Sequence, residues 1–240
     1  MKKIHLDEIT STNTYAKENS DTLEDKSIIY TDRQTAGRGR FERKWVDLGS
    51  RNLYMTIFLR LGPEFRESYS NLTQYLSLVN CKTLEEYGVI PKIKWPNDTL
   101  VNNKKISGIL SEAIFSGNRL KAIILGIGVN LNANVKDVRA IPDRVATALN
   151  IETSQDIDRD EFLDKLVSNF FKGYDNFIEN GFESIKKDYI DHSVLIGEKI
   201  TIQVLNKKIN GIYKTINNDG TIKLLTQKGE ENFSIGDILE

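Results

Sequence analysis

From Pro91 to Asn130 the chain alternates short apolar segments with turn signals, a texture that calls for a β-meander. Ile93 to Trp95 is strand-like, and Pro96 stops it because proline cannot donate to a ladder. Leu100-Val101 and Lys105-Ile106 flank Asn102-Asn103, a pair that tolerates left-handed backbone and so predicts a hairpin. Ile109 to Phe115 and Leu120 to Leu125 flank Gly117-Asn118 in the same way. Three to four antiparallel strands in succession follow from this spacing. The stretch Gly126-Ile127-Gly128-Val129-Asn130 is expected to end the meander, with two glycines that let another group approach the backbone closely.

Helical periodicity appears on either side. Leu72, Tyr75, Leu76 and Val79 predict a helix over Tyr69 to Tyr87, with Gly88 as its stop and Pro91 beyond. Asp143 to Asn150 reads as a short helix. Asp158-Arg159-Asp160-Glu161 opens a longer one, whose stripe is Phe162, Leu166, Phe170, Tyr174, Phe177 and Ile178. Gly181 ends it, and Phe182, Ile185 and Tyr189 suggest one more. Ile4 to Ile9, Ser27 to Tyr30 and Asn52 to Leu59 are strand-like. Ser11-Thr12-Asn13-Thr14 offers capping side chains ahead of Tyr15 to Glu18, either as caps alone or also as groups facing a ligand.

The texture changes at Val194. Lys199 to Val204, Ile209 to Thr215, Thr221 to Thr226 and Asn232 to Ile235 are short strands between turn-like runs, which predicts a small antiparallel barrel of roughly fifty residues. No residue in it suggests chemistry. The fold class expected is α+β: a mixed or antiparallel sheet packed with helices over 1–192, and the barrel over 193–240.

Composition narrows the function classes. A formal net charge of −1 argues against bulk attraction to nucleic acid or anionic membrane, so anion binding must come from local clusters. Cys81 is the single cysteine, so no intramolecular disulfide forms, which fits a cytoplasmic protein. His5 and His192 are the only histidines, and their spacing supports neither a zinc site nor a Ser-His-Asp or Cys-His centre. The N-terminus lacks the apolar core of a signal peptide, and the most apolar window, Leu120 to Leu131, is too short to span a bilayer.

Two charged constellations stand out against this near-neutral background. Between two strands lies Thr31 to Trp45, with Arg33, Arg38, Arg40, Arg43 and Lys44 around Gly37 and Gly39. Glycine admits close backbone approach and arginine supplies planar forks for carboxylate or phosphate, so the segment reads as a lid over an anion. Poor in apolar residues, it is expected to be mobile without ligand. The second constellation is Lys94, Asn97, Asp98, Lys104 and Lys105, where Pro96 fixes the turn that presents Asn97 and Asp98 at a strand end. Either alone also fits a solvated basic loop or an ordinary Pro-Asn-Asp turn.

Together these residues resemble the biotin protein ligases. The resemblance rests on Gly37-Arg38-Gly39-Arg40 with Arg43 and Trp45, on Lys94-Trp95-Pro96-Asn97-Asp98, on Lys105-Ile106-Ser107-Gly108-Ile109-Leu110 and on Gly126-Ile127-Gly128-Val129-Asn130, with Ser11-Thr12-Asn13 and Gln34 in register. It covers essentially the whole chain. It departs at Glu42, where the family usually carries glycine, and at Ala148, where it often carries serine.

The resemblance implies a catalytic domain like that of class II aminoacyl-tRNA synthetases and an SH3-like C-terminal barrel. It implies ATP-dependent attachment of biotin to a lysine of a biotin carboxyl carrier protein, through biotinyl-5′-AMP. Lys105, Arg40, Asp98 and Lys94 would be catalytic. Biotin would meet Ser11, Thr12, Asn13, Gln34, Gly37, Arg38, Gly39, Arg40, Trp95, Lys105 and Gly108. The nucleotide would meet Arg38, Arg40, Arg43, Trp45, Lys94, Asn97 and Asn130. Mg²⁺ would be shared with the phosphates, with no dedicated protein site. Ser11-Thr12-Asn13 lies ten residues from the start, which leaves no room for the winged-helix DNA-binding domain of larger members, so a ligase without DNA partner, repressor role or membrane partner is expected. Family dimers through sheet edges suggest a homodimer. Two rival readings are a lipoate–protein ligase or acyltransferase of the same fold, for which no Arg-Arg-x-x-Gly-Gly-Gly run is present, and a nucleic-acid binder using the arginine loop.

Overall fold

The computed structural model describes residues 1–62, 64–142 and 145–239. The side chain of Glu42, where the loop departs from the family, lies outside the described residues, as do Asp143 and Arg144 at the head of the expected helix.

Seven strands form the main sheet: β1 (Lys3–Ile9), β2 (Ser27–Gln34), β3 (Leu53–Arg60), β4 (Pro91–Lys94), β5 (Asp98–Val101), β6 (Lys104–Ser116) and β7 (Arg119–Val129). Their order is β1-β2-β3-β7-β6-β5-β4. β1 and β2 run parallel and every other neighbouring pair is antiparallel. The predicted meander is therefore β4 to β7, with the Asn102-Asn103 turn holding both residues at positive φ. Gly126 to Val129 ends the meander as expected, as the last residues of β7, laddered to β3 and β6 and not as a turn.

Strand side chains alternate between faces. On β3, Leu53, Met55 and Ile57 point to the main core. There they meet helix α2 (Leu72–Glu85) through Leu72, Leu76 and Val79, and helix α5 (Arg159–Asn180) through Phe162, Leu166 and Phe170. Tyr75 stacks on Phe177 at 4.4 Å between ring centroids. Asp158 caps α5, its carboxylate accepting from Asp160 N–H and Glu161 N–H, as expected of that motif. The opposite face is covered only at one end, where Ala16 of helix α1 (Thr12–Glu18) packs with Ile29, Phe58, Ala122 and Ile124. The other end of that face is left open.

Two corrections concern the second half. After β7 comes a short helix α3 (Val135–Arg139), but residues 145–148 are not helical. Lys105 N–H donates to Val145 O and Thr147 N–H to Lys105 O, so this segment pairs with β6, and the short helix α4 starts only at Leu149 (Leu149–Thr153). A strand edge needing partners has overridden local helix propensity. Beyond helix α6 (Lys186–His192) come β8 (Lys199–Val204), β9 (Lys207–Ile216), β10 (Ile222–Thr226), β11 (Gly229–Phe233) and β12 (Asp237–Leu239). They form one five-stranded antiparallel sheet, β11-β10-β9-β8-β12. Among the described residues its two end strands do not pair, so the sheet is open where a closed barrel was expected. Its apolar face shares a core with the main unit: Ile202, Tyr213 and Leu224 pack with Leu78, Cys81, Ile93, Trp95 and Tyr189. Among the described residues no helix is long and apolar enough to cross a membrane.

Candidate active site

The open end of the sheet is where the sequence motifs converge. Directly opposed residues form a row across five strands, Lys94–Asp98–Gly108–Gly128–Tyr54, and beside it runs a second, Leu110–Gly126–Thr56. Three positions of these rows are glycine, and each leaves space that another side chain uses. A Cβ on Gly126 would stand 2.1 Å from Asn13 Oδ1, and one on Gly128 would stand 2.4 Å from the Trp45 ring. On Gly108 it would meet both Trp45, at 3.0 Å, and Lys105 Nζ, at 3.1 Å. These three glycines are thus hollows for side chains from earlier in the chain, Asn13, Trp45 and Lys105. The close approach expected of them is real, but it is made from within the protein.

Lys105 owes its place to an irregularity. Thr99 opposes Ser107 while Leu100 opposes Lys105, so β6 carries one extra residue, Ile106. Simple alternation would put Lys105 on the face opposite Gly108. The bulge returns it to the same face, a common use of bulges beside functional sites. Its Nζ then lies 2.5 Å from Asp98 Oδ1 and 5.7 Å from the Trp45 ring centroid.

The two readings of Ser11 to Asn13 can now be separated. Ser11 occupies the cap of α1 but its hydroxyl makes no capping hydrogen bond. Thr12 and Asn13 turn inward and are buried. Thr12 N–H donates to Gln34 Oε1 at 2.9 Å, and Thr56 Oγ1 donates to Asn13 Oδ1 at 2.6 Å. The Asn13 amide donates in turn to Leu110 O and to Glu112 Oε2. These residues build one polar wall and do not merely start a helix.

The arginine loop lies across this wall. Gly39 N–H donates to Arg43 O and Trp45 N–H to Gly37 O, which makes it a small irregular hairpin. It has no apolar core of its own, as expected, and Phe41 at its tip is exposed. Charge holds it instead. Arg38 pairs with Glu112 at 2.7 Å. Arg40 donates to Asn97 Oδ1 at 3.0 Å and to Gly236 O at 3.1 Å, and pairs with Asp237 Oδ1 at 3.0 Å. Arg43 takes the other Asp237 oxygen at 2.7 Å. Burial holds the Arg40 guanidinium below its ordinary value, against the opposing pull of Asp237 and Asp98.

A cavity of about 680 Å³ results. Its lining includes Ser11, Thr12, Asn13, Gln34, Arg38, Gly39, Arg40, Arg43, Trp45, Lys94, Trp95, Asn97, Asp98, Lys105, Gly108 and Asn130, so the dispersed motifs meet in one place. Gly37 stands behind the lining, against Trp45 and Gln34. Trp95 is buried in the second core and donates to Gly220 O, so its larger part serves the joint between the sheets. Asn130 gives its amide to Thr147 O and so holds the 145–147 wall. Three residues escaped sequence reasoning. Glu112 carried a signal, since it shares the period-two face of Gly108 on β6, whereas β3, which holds Thr56, had no expected site residue. Asp237 carried none: it corrects the expectation that the C-terminal strands contribute no chemistry, because Asp237, Ile238 and Leu239 all line the cavity.

Comparison with known proteins agrees with this geometry. The model of the Biotin/lipoate A/B protein ligase family matches residues 6–130. Over 237 residues the chain is 30% identical to the Bifunctional ligase/repressor BirA of Bacillus subtilis (strain 168), covering 98% of this chain and 73% of that protein. Over 226 residues it is 30% identical to the Biotin--[acetyl-CoA-carboxylase] ligase of Paracoccus denitrificans, covering 92% and 93%. The structure of biotin protein ligase from Aquifex aeolicus in complex with biotin and ATP matches with a TM-score of 0.83 at 30% identity, over 99% of this chain and 97% of that one.

Proposed function

Since the chain belongs to the biotin/lipoate A/B protein ligase family, we propose that it is an ATP-dependent ligase that attaches biotin to a lysine of a biotin carboxyl carrier protein. The observation that carries this reading is the cavity itself. A neutral polar wall, an apolar middle and a cationic rim occur there in the order that a ureido ring, a valeryl tail and an acyl phosphate require.

The ureido head is assigned to Ser11, Thr12 and Gln34, where an unmatched polar group would cost about 1–3 kcal/mol. Asn13 orients that wall. Leu110 offers the apolar middle, and Trp45 covers it. The biotin carboxylate attacks the α-phosphorus of ATP, forming biotinyl-5′-AMP and expelling pyrophosphate. Two anions must come together in that step, and Lys105, Arg40, Lys94 and Arg38 supply fixed opposing charge. Arg43, Asn97 and Asn130 border the nucleotide. In the second step the acceptor amine attacks the acyl carbon and AMP leaves. Asp98 stands beside the reacting carbon to orient the amine and accept its proton.

Mg²⁺ is proposed to accompany the triphosphate. Among the described residues the carboxylates lining the cavity, Asp98 and Asp237, are each paired with cations, so they do not form a protein cage for a metal, and no step is routed through one.

We also read residues 1–192 as the catalytic unit and 193–240 as an SH3-like unit, joined by the shared core around Trp95. A second copy is proposed to pair along the outer edge of β6 from Ser111 to Ser116, where no described strand is laddered and Phe115 is exposed. The near-neutral chain offers no field for DNA or a membrane surface, and a cytoplasmic site of action fits its single buried cysteine. Incubation with biotin and ATP should release pyrophosphate only when both are present, and a carrier domain should gain the mass of one biotinyl group. Pyrophosphate release indifferent to biotin would refute the assignment.

A further inference from the structure

The arginines of the loop are held by a residue of the other sheet. Asp237 opens β12, the end strand of the C-terminal sheet, and its backbone pairs with Gln203 of β8. Its side chain is turned away from that sheet toward the loop. One oxygen meets Arg40 at 3.0 Å and the other meets Arg43 at 2.7 Å. The neighbouring carbonyl of Gly236 takes a second bond from Arg40.

Two guanidinium groups this close repel each other, and Arg43 weakens the preference of Arg40 for its charged form. The carboxylate between them removes that repulsion. Among the described residues little else holds its tip: Phe41 is exposed, the Glu112 contact reaches only Arg38, before the turn, and the main sheet adds one hydrogen bond, from Arg40 to Asn97. Trp45 fixes the far stem over Gly128. The tip from Arg40 to Arg43 therefore hangs mainly on the C-terminal sheet.

We propose that Asp237 is a positioning residue: through its two oxygens the C-terminal sheet holds Arg40 and Arg43, and with them the loop, across the cavity, so that this sheet sets how long the acyl adenylate is retained. The part concerning the adenylate rests on the ligase reading above. The part concerning the loop does not.

The test uses the full chain and three variants, Asp237→Asn, Asp237→Glu and Arg43→Gln. Chymotryptic cleavage after Phe41 in the ligand-free protein reports opening of the tip. It should rise about tenfold in Asp237→Asn and in Arg43→Gln, no further in the double variant, and return toward wild type in Asp237→Glu. Arg43→Gln leaves β12 untouched, so the effect survives as evidence even where Asp237→Asn melts early. Equal cleavage in wild type and Arg43→Gln would overturn the clasp, as would fully additive effects in the double variant. After incubation with biotin and ATP, adenylate should be lost from gel-filtered Asp237→Asn about tenfold faster than from wild type. Equal loss would overturn the retention role. A wild type that forms no adenylate would instead sink the ligase reading and leave the cleavage result standing.

Discussion

The floor and the roof of the cavity are built from different materials. The floor is three adjacent strands, β3, β7 and β6, in unbroken ladders across Tyr54–Gly128–Gly108 and Thr56–Gly126–Leu110. Its side chains sit in hollows that only glycine leaves, and they are bonded to backbone and to each other. The roof is a loop with one bridged pair, Arg38 and Lys44, held among the described residues by ion pairs to Glu112 and Asp237 and by the hydrogen bonds of Arg40 to Asn97 and Gly236 O. In the floor the interactions that make the site are the ones that make the fold. In the roof the two are separable. Substitutions should therefore lower stability and activity together in the floor, and activity or retention alone in the roof.

The sharpest test is Gly126→Ala. A methyl there would displace the Asn13 side chain, which accepts from Thr56 and donates to Leu110 O and Glu112. Buried polar groups left unmatched cost about 1–3 kcal/mol each, so a loss of roughly 2–4 kcal/mol is expected. For a chain of this length that is a fall in Tm of roughly 5–10 °C, read by calorimetry. Adenylation should fall by roughly two to three orders of magnitude. A variant melting within a degree of wild type would show that fold and site are less fused than the ladders imply.

Lys105→Ala probes the seam, since the bulge carries this side chain from the floor to the reacting anions. Adenylate formation in single turnover should drop by roughly 10²–10³. Asp98 keeps partial solvent access and has Arg40 near it, so the stability loss should be only about 1 kcal/mol. Wild-type single-turnover rates would remove Lys105 from the chemistry.

The same division governs what could be read from the sequence. The floor was legible because hairpin spacing and period-two alternation are local: Asn102-Asn103, Gly117-Asn118 and the strands they join stand where expected. The expected site residues were legible through the family resemblance, and the geometry brings all of them but Gly37 to the cavity wall. Contacts across long separations were not. Nothing near Asp237 marks it as the partner of Arg40, almost two hundred residues away, because a lone acidic residue on a short strand has no pattern to betray it. The bulge at Ile106 was hidden for a related reason: register depends on the partner strand. The expected helix fails over 145–148 because the bridge to Lys105 outweighs propensity in so short a segment.

Arg40→Gly tests the roof. It removes the bonds to Asn97, Gly236 and Asp237 at once, yet takes nothing from the main core. The adenylate should still form, while its dissociation should accelerate by roughly tenfold to a hundredfold, seen as labelling of bystander amines. Tm should shift by no more than about 3 °C. Retention as long as in wild type would mean that the loop is not what keeps the intermediate.

The smallest effect should come from the side wall, which belongs to neither class. Glu152 accepts from Thr147 Oγ1 at 2.5 Å and from Asn102 Nδ2 at 2.6 Å, and Lys104 lies 3.3 Å away. Through it, helix α4 ties the 145–147 wall to the β5–β6 turn. Burial raises its carboxyl pKa, but the bonds from Thr147, Asn102 and Lys104 outweigh that, and the net shift is downward from an ordinary value of 4.5. A depressed pKa gives stability that is complete above the unfolded value and fades as pH falls through the folded one. Glu152→Gln should thus lose about 0.5–1 kcal/mol at pH 7, because an amide accepts these bonds less well, and the gap from wild type should narrow as pH falls below the ordinary value of 4.5 and through the lowered one. Because the wall borders the nucleotide in the proposed pose, the KM for ATP should rise about twofold to fivefold at pH 7 with little change in kcat. A gap that persists unchanged at low pH would show that the side chain acts through packing and not through its charge, and would move the wall to the floor's side of the comparison.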